Sequence, residues 1–159
     1  MIRAYRAEDL PAVMGIADRA WRPIRKISRE ALGDRISDLL RPAGDEGSKG
    51  AEVRRQALTD PEHFWVCEED GKVVGFITFA LDAQHQGGEI LNNAADPDCG
   101  IKGIGQQMYK AVLEYFRQKG MKFVKVTTGL DEGHARARSA YERAGFDRSL
   151  QFVTYYQEL

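Results

Sequence analysis

One segment constrains the fold more than any other: a strand that ends at a proline and continues through a glycine-rich loop into a helix. Glu89 to Ala95 has the pattern of the strand, Pro97 ends it, and glycines at positions 100, 103 and 105 follow. Residues 104–119 then carry apolar side chains at helical spacing, with a terminating glycine next. This order aims backbone N–H groups and the positive end of a helix at one point, so it predicts an anion site suited to phosphate.

The rest of the chain supplies helices and strands in an order that predicts a mixed sheet. Further strands are expected at Ile2 to Arg6, Phe64 to Glu68, Val73 to Leu81, Met121 to Thr127 and Gln151 to Gln157. Helices are expected from residue 10, where Asp9 can provide the cap, to residue 21, and over 29–40, 51–59 and 134–144. We therefore expect one α/β domain over residues 1–159, with helices on both faces of the sheet.

Composition excludes several classes of protein. The 159 residues are 43% apolar and 30% charged, with a net charge of −1. Nucleic-acid binders usually carry clustered basic residues, and no apolar run approaches the ~18–20 residues of a membrane span. We therefore expect no nucleic-acid partner and no membrane partner. The two cysteines and three histidines lack metal-ligand spacing, so no metal is expected. The N-terminal residues show no apolar signal core, which favours the cytoplasm.

Neither of the two informative segments is decisive alone. Gly103-x-Gly105 is not a dinucleotide fingerprint, because Met108 occupies the third glycine position, and it lacks the Lys-Ser/Thr pair of a P-loop. Taken alone, it is explained better by an ordinary strand-to-helix turn that contains glycine. The later helix, His134 to Phe146, carries Tyr141 on a face of small residues, where a tyrosine is more often a core aromatic than a catalyst.

Together, the two segments resemble the GNAT superfamily of acetyl-CoA-dependent N-acyltransferases. The family's Gln/Arg-x-x-Gly-x-Gly/Ala loop corresponds to Gly100-Ile101-Lys102-Gly103-Ile104-Gly105. Its Asn-x-x-Ala-x-x-x-Tyr-x-x-x-Gly-Phe helix corresponds to the segment from His134 to Phe146. Two positions depart from the pattern: Gly100 replaces Gln or Arg, and His134 replaces Asn. The resemblance covers residues 63–147 well and residues 1–20 loosely.

The resemblance implies a mostly antiparallel sheet with a central, splayed pair of parallel strands and acetyl-CoA bound between them. Backbone groups of the strand are expected to pair with the pantetheine arm, and backbone N–H groups of the loop to hold the pyrophosphate. His134 is expected near the pantetheine and Tyr141 at the sulfur. The implied cofactor-binding residues are Asn93, Ala94, Ala95, Ile101, Lys102, Gly103, Ile104, Gly105, Gln106, His134 and Tyr141.

The resemblance also implies direct attack by an amine in a ternary complex. An alkylammonium with a pKa near ~10 must lose a proton first, and Glu89 is the candidate base, with Asp82 and water chains as competitors. The backbone N–H near Ala94 can stabilise the oxyanion, and Tyr141 can protonate the leaving thiolate. Cys99 has no basic partner at motif spacing, so a loop cysteine explains it better than a nucleophile.

The acceptor stays open: a small molecule or a peptide with a primary amine fits equally. Trp21, Tyr155 and Tyr156 are candidates for the walls of its site, together with the glycine- and charge-rich loop 41–50. A homodimer stays open as well. The alternative function is a non-catalytic acyl-CoA-binding or regulatory domain of the same fold, although the presence of Tyr141 favours an enzyme.

Overall fold

The sheet has five strands in the order of the chain. A computed structural model describes residues 1–42, 44 and 47–159. The strands are β1 (Ile2–Ala4), β2 (Phe64–Glu69), β3 (Lys72–Asp82), β4 (Gly87–Ala95) and β5 (Phe123–Val126). Neighbours from β1 to β4 pair antiparallel, whereas β4 and β5 pair parallel. The predicted mixed, mostly antiparallel sheet is confirmed, with its parallel pair formed by β4 and β5.

Four helices cover the two faces of the sheet. They are α1 (Leu10–Leu40), α2 (Lys49–Thr59), α3 (Ile104–Gln118) and α4 (Ala135–Arg143). One apolar cluster joins α1 and α2 to the sheet through Val13, Ile16, Val53 and Phe76. The other joins α3 and α4 through Met108, Phe116, Ile77, Ile90 and Tyr141. We call these the α1/α2 face and the α3/α4 face. No helix among the described residues is long and apolar enough to cross a membrane.

Residues 10–40 contain two helical stretches, as predicted, but the boundary between them is misplaced in the prediction: it lies at Gly33, where φ is 78°, and not between residues 21 and 29. The helix continues past Pro23 because its apolar side keeps a partner: Ile24 and Ile27 lie against the loop at Gly133. Asp9 precedes α1 without capping it through its side chain. Its carboxylate instead accepts hydrogen bonds from the Arg6 N–H and from the guanidinium of Arg3.

The prediction of a final strand over Gln151 to Gln157 is also wrong. The structure has no strand there, and the side chains of residues 147–159 are exposed. Alternation of apolar residues favours a strand only where a neighbouring strand supplies hydrogen bonds and a face to bury. β5 pairs only with β4 in the described part of the chain, so its outer edge remains open.

Candidate active site

Strand β4 is bulged at its centre. Leu91 and Asn92 together lie opposite Thr78 of β3, because the register shifts by one residue here. The buried Thr78 hydroxyl satisfies the bulge: it accepts a hydrogen bond from the Asn92 N–H at 2.9 Å and donates to the Asn92 carbonyl oxygen at 3.2 Å. A bulge of this kind bends the strand and increases its local twist.

The parallel pair opens directly at this bulge. Ile90 and Val126 are the last paired residues of β4 and β5, and β5 ends there, whereas β4 continues to Ala95. The final β4 residues, which include Asn93, Ala94 and Ala95, therefore have no strand neighbour on the β5 side. Their backbone N–H and C=O groups on that side can pair with an extended ligand, as an added strand would.

The loop after β4 has the geometry of an anion site. Gly103 precedes α3 with a φ of 84°, and Gly100 has a φ of 71°. A Cβ atom at Gly103 would meet no heavy atom within 4 Å, so the space beside its backbone is open. The N–H groups of Gly105 and Gln106 lie in the first turn of α3, where a helix supplies no acceptor. These features fit a pyrophosphate.

The side chains of the same loop have roles other than binding phosphate. Ile104 is buried in the core under the loop, whereas Ile101 and Lys102 are exposed. The Gln106 amide donates to the Ala140 carbonyl oxygen at 2.8 Å and so ties the start of α3 to α4. The loop can therefore hold a phosphate mainly through its backbone.

Two sequence-predicted residues, Asn93 and Tyr141, meet beside the gap. The Asn93 amide donates to the Tyr141 hydroxyl at 3.0 Å, and the Tyr109 hydroxyl donates to the Asn93 amide oxygen at 2.8 Å. Both tyrosines are buried. Burial raises the pKa of each phenol above its ordinary value, and for Tyr109 the neighbouring Tyr141 adds to the shift. Both hydroxyls are therefore protonated at neutral pH.

Sequence reasoning missed Tyr109. It lies on α3 next to the Met108 that was assigned to the apolar stripe, and its ring lies 3.6–3.8 Å from the Cβ position of Gly105. The signal was present: Gly105 and Tyr109 are separated by one helical turn, so a missing side chain at one position leaves room for a ring at the other.

A cleft of about 430 Å³ lies on the α1/α2 face, between α1, the start of α2 and the loop before α4. Trp21 and Tyr156 line it as expected, whereas Tyr155 is exposed and does not. The Lys49 ammonium lies over the Trp21 ring, 4.6 Å from its centroid, and pairs with Glu52 at 2.6 Å.

His134 lines this cleft and is oriented by Asp131. The imidazole Nδ1 lies 2.6 Å from Asp131 Oδ2, while Asp131 Oδ1 is buried without a hydrogen-bond partner among the described residues. Burial opposes ionisation of Asp131, but the interactions with the His134 side chain and with nearby backbone groups outweigh burial and lower the pKa of that carboxyl. Arg138 fixes the loop by donating to the Gly129 and Asp131 carbonyl oxygens at 2.8 Å.

Glu89 lies one residue before Ile90, which is the last residue of β4 that pairs with β5. Its neighbours Gly88 and Ile90 point to the α3/α4 face, so Glu89 points to the α1/α2 face. Its carboxylate pairs with Lys125 of β5 at 3.0 Å. Asn93 is four residues further on, about 13 Å along an extended strand. Asp82 pairs with the first residue of β4 in the sheet register and binds His85, so it is further from the gap than Glu89.

The comparisons with known proteins agree with this geometry. The sequence profile of the acetyltransferase (GNAT) family matches residues 21–146 of the chain.

This chain belongs to the GNAT acetyltransferase family. It is similar to S-(2-succino)cysteine N-acetyltransferase of Bacillus subtilis strain 168, with 29% identity over 89% of this chain and 80% of that protein. It also matches the mycothiol acetyltransferase of Thermobispora bispora at 32% identity, over 60% of this chain but only 34% of that protein. The PaiA N-acetyltransferase of Thermoplasma acidophilum, solved with coenzyme A, shares the fold with a TM-score of 0.67 and 19% identity, over 92% of this chain and 89% of that one.

The GNAT assignment confirms the enzyme class that the two motifs predicted, an N-acetyltransferase. Within the described residues, no group of three or more His, Cys, Asp or Glu side chains is arranged to hold a metal ion.

Proposed function

We propose that this GNAT enzyme transfers the acetyl group of acetyl-CoA directly to a primary amine of a small molecule or peptide in a ternary complex. The observation that carries this proposal is the unpaired end of β4, which lies beside the Asn93–Tyr141 hydrogen bond. The glycine loop follows the end of β4 along the chain, and the 430 Å³ cleft is lined by residues of α1, the start of α2 and the loop before α4. In this proposal the donor reaches the gap from the glycine loop and the acceptor reaches it from the cleft.

The donor is held mainly by backbone groups. In this proposal Asn93, Ala94 and Ala95 pair with the pantetheine arm, and the loop from Ile101 to Gln106 binds the pyrophosphate. The open space at Gly103 and the unpaired N–H groups of the first α3 turn support this assignment. His134, which is held by Asp131 and lines the cleft, is proposed to lie where the arm meets the acceptor.

Tyr141 is the proposed general acid. Its hydroxyl accepts a hydrogen bond from Asn93, so the phenol proton is not used in that bond. Because burial raises the pKa of the phenol, Tyr141 carries its proton at neutral pH and can give it to the departing thiolate. Tyr109 donates to the amide oxygen of Asn93 and so fixes the amide that positions the Tyr141 hydroxyl. Tyr109 itself does not touch the reacting atoms in this proposal.

Glu89 is the proposed general base, acting through water, since it faces the same side of the sheet as the cleft. His134 with Asp131 is the competing base that the structure adds. We expect Glu89→Gln to lower kcat at least tenfold, because general-base contributions are about 10²–10⁴-fold. Lys125→Ala removes the partner of Glu89 but keeps the carboxylate and is the matched control. A large loss in Asp131→Asn with a normal Glu89→Gln would transfer the role to His134.

A screen of amines with acetyl-CoA, followed by release of free thiol, tests the activity. S-(2-succino)cysteine should be included, because a similar enzyme is named for that acceptor. We expect thiol release that depends on at least one amine and on the enzyme. Binding of acetyl-CoA without release across a broad panel would favour a non-catalytic acyl-CoA-binding domain.

The assembly and location are proposals of the same kind. We propose a homodimer, supported by exposed apolar side chains near the C-terminus and by the open edge of β5, two features that favour pairing with a second chain. Sedimentation of the full chain and of a chain that lacks residues 149–159 tests this.

We propose the cytoplasm as the location, since Cys67 and Cys99 are both free thiols.

A further inference from the structure

A second cavity, of about 270 Å³, lies inside the bend of α1. Gly33 breaks the helix with a φ of 78°, so the short leg after it, residues 34–40, turns away from the first leg. The cavity is lined by Arg25 of the first leg, by Ser37 and Arg41 at the second, and by Gly47 and Ser48 at the start of α2. Arg25 and Arg41 also line the 430 Å³ cleft, so the two spaces adjoin.

Two of the three arginines in this cavity have no acidic partner among the described residues. Arg29 is neutralised by Asp34 at 2.7 Å and by Asp38. By contrast, Arg25 makes no ion pair with any described residue, and Arg41 only donates to the Ser28 hydroxyl at 3.3 Å. Burial lowers the pKa of Arg25, and the positive charge of Arg41 lowers it further. Two positive charges therefore repel each other at the edge of the cleft.

Among the described residues, the acids that act on Arg25 already have partners. Asp18 accepts a hydrogen bond from the Gly50 N–H at 2.7 Å, and Glu52 pairs with Lys49 at 2.6 Å. Both acids raise the pKa of Arg25, but burial and the charge of Arg41 outweigh them.

Ser37 gives an independent sign of a missing ligand. Its side chain is 3% exposed, and its hydroxyl has no hydrogen-bond partner among the described residues. A buried hydroxyl without a partner is unfavourable, because it has given up its hydrogen bonds to water. The same cavity is bordered by the N-cap of α2, an 11-residue helix whose positive end attracts anions.

We propose that Arg25, Arg41 and Ser37 bind a carboxylate of the acceptor, so that the substrate is an amine that also carries a carboxylate group. This inference rests on the proposed acetyl transfer, because it places the amine of the same molecule in the adjoining cleft. One planar guanidinium can donate two parallel hydrogen bonds to a carboxylate, and the second arginine and Ser37 can donate to its remaining acceptor positions.

The test measures how tightly carboxylate ligands and their uncharged counterparts bind to the wild type, to variants of the cavity and to a control variant. Calorimetric binding of aspartate and of glutamate is measured against their diamides and against O-phosphoethanolamine, with acetyl-CoA affinity measured in parallel. The variants are Arg25→Gln combined with Arg41→Gln, and Ser37→Ala. Arg22→Gln, an exposed arginine one turn before Arg25 that lines neither cavity, is the control.

We expect the amino dicarboxylates to bind at least tenfold more tightly than their amides, and the double variant to lose this preference. Each charge-assisted hydrogen bond that is lost corresponds to roughly ten- to hundredfold in affinity. Ser37→Ala should weaken carboxylate binding severalfold without lowering the melting temperature, which separates ligand binding from a structural role. Arg22→Gln should match the wild type.

Three results would overturn the inference. They are equal binding of acids and amides, an unchanged preference in the double variant, and tighter binding of the phosphate ligand than of the carboxylates. Each would leave the acetyltransferase proposal standing, provided that some amine still releases thiol. Carboxylate binding that depends on Arg25 and Arg41, together with no thiol release from any amine, would instead remove the proposed reaction and keep the anion site.

Discussion

The two faces of the sheet are built in different ways. On the α3/α4 face, Tyr141, Asn93 and Tyr109 are buried and hydrogen-bonded to one another beside a glycine loop with open space at Gly103. On the α1/α2 face, the cleft is open, and Arg25 and Arg41 have no acidic partner within the described part of the chain. A donor that is the same in every turnover can use a preformed site, whereas acceptor selectivity can depend on side chains that a ligand must complete.

The largest expected effect on activity comes from a substitution on the α3/α4 face. Tyr141→Phe should lower kcat at least tenfold, within the ~10²–10⁴-fold range of general-acid catalysis, and leave acetyl-CoA affinity nearly unchanged. The ring still packs on Tyr109 and Phe146, so the melting temperature should change little. Steady-state rates with a melting curve beside them check this.

Two outcomes would count against the role of Tyr141. Wild-type turnover in Tyr141→Phe would make the residue a packing side chain, and a large loss of stability would make its hydroxyl structural. The pH profile adds a further check. Since burial raises the pKa of the phenol above its ordinary value of 10.0, loss of the wild-type rate by ionisation of Tyr141 should have its midpoint above pH 10.

The next largest effect is expected on acetyl-CoA binding, from a substitution in the loop before α3. Gly103→Val should weaken acetyl-CoA binding about tenfold or more, because a β-branched residue resists the positive φ and its side chain projects into the space left for phosphate. Gly120→Val is the matched control: Gly120 has a φ of 76° and equally open surroundings, but it lies at the far end of α3. If both variants bind acetyl-CoA equally well, the phosphate lies elsewhere.

A smaller effect is expected on the α1/α2 face. Trp21→Phe should raise the acceptor KM severalfold without changing acetyl-CoA affinity, since the indole lines the cleft and lies under Lys49. Trp65→Phe, in the aromatic cluster with Phe79 and Tyr115, should change stability but not the acceptor KM. The same acceptor KM in Trp21→Phe and the wild type would remove the indole from the acceptor site.

Local patterns in the sequence were sufficient for the α3/α4 face. Pro97, the glycine loop and the apolar stripe of α3 are contiguous, so each can be interpreted without knowing the rest of the fold. The resemblance assigned both Asn93 and Tyr141 to the cofactor site, and the structure joins their side chains by a hydrogen bond that was not predicted. Tyr109 was missed because its task depends on Asn93, which is 16 residues away and on another element.

The α1/α2 face depends on contacts between distant segments, and there the predictions were less accurate. The bend at Gly33 was not predicted, because periodicity alone favoured a boundary between residues 21 and 29. The expected strand at residues 151–157 lacks a partner in the fold. The arginine cavity exists only because α1, its bend and α2 come together, and no single stretch of sequence encodes it.

Binding of acetyl-CoA is the measurement that tests the central claim most directly, namely that the end of β4 and the loop before α3 form a donor site. Melting curves are recorded for the full chain with acetyl-CoA and with acetate. At ~100 times its dissociation constant, acetyl-CoA should add about 2.7 kcal/mol to the free energy of unfolding, whereas acetate should add nothing comparable. An unchanged melting temperature at millimolar acetyl-CoA would contradict the donor site and, with it, the proposed mechanism.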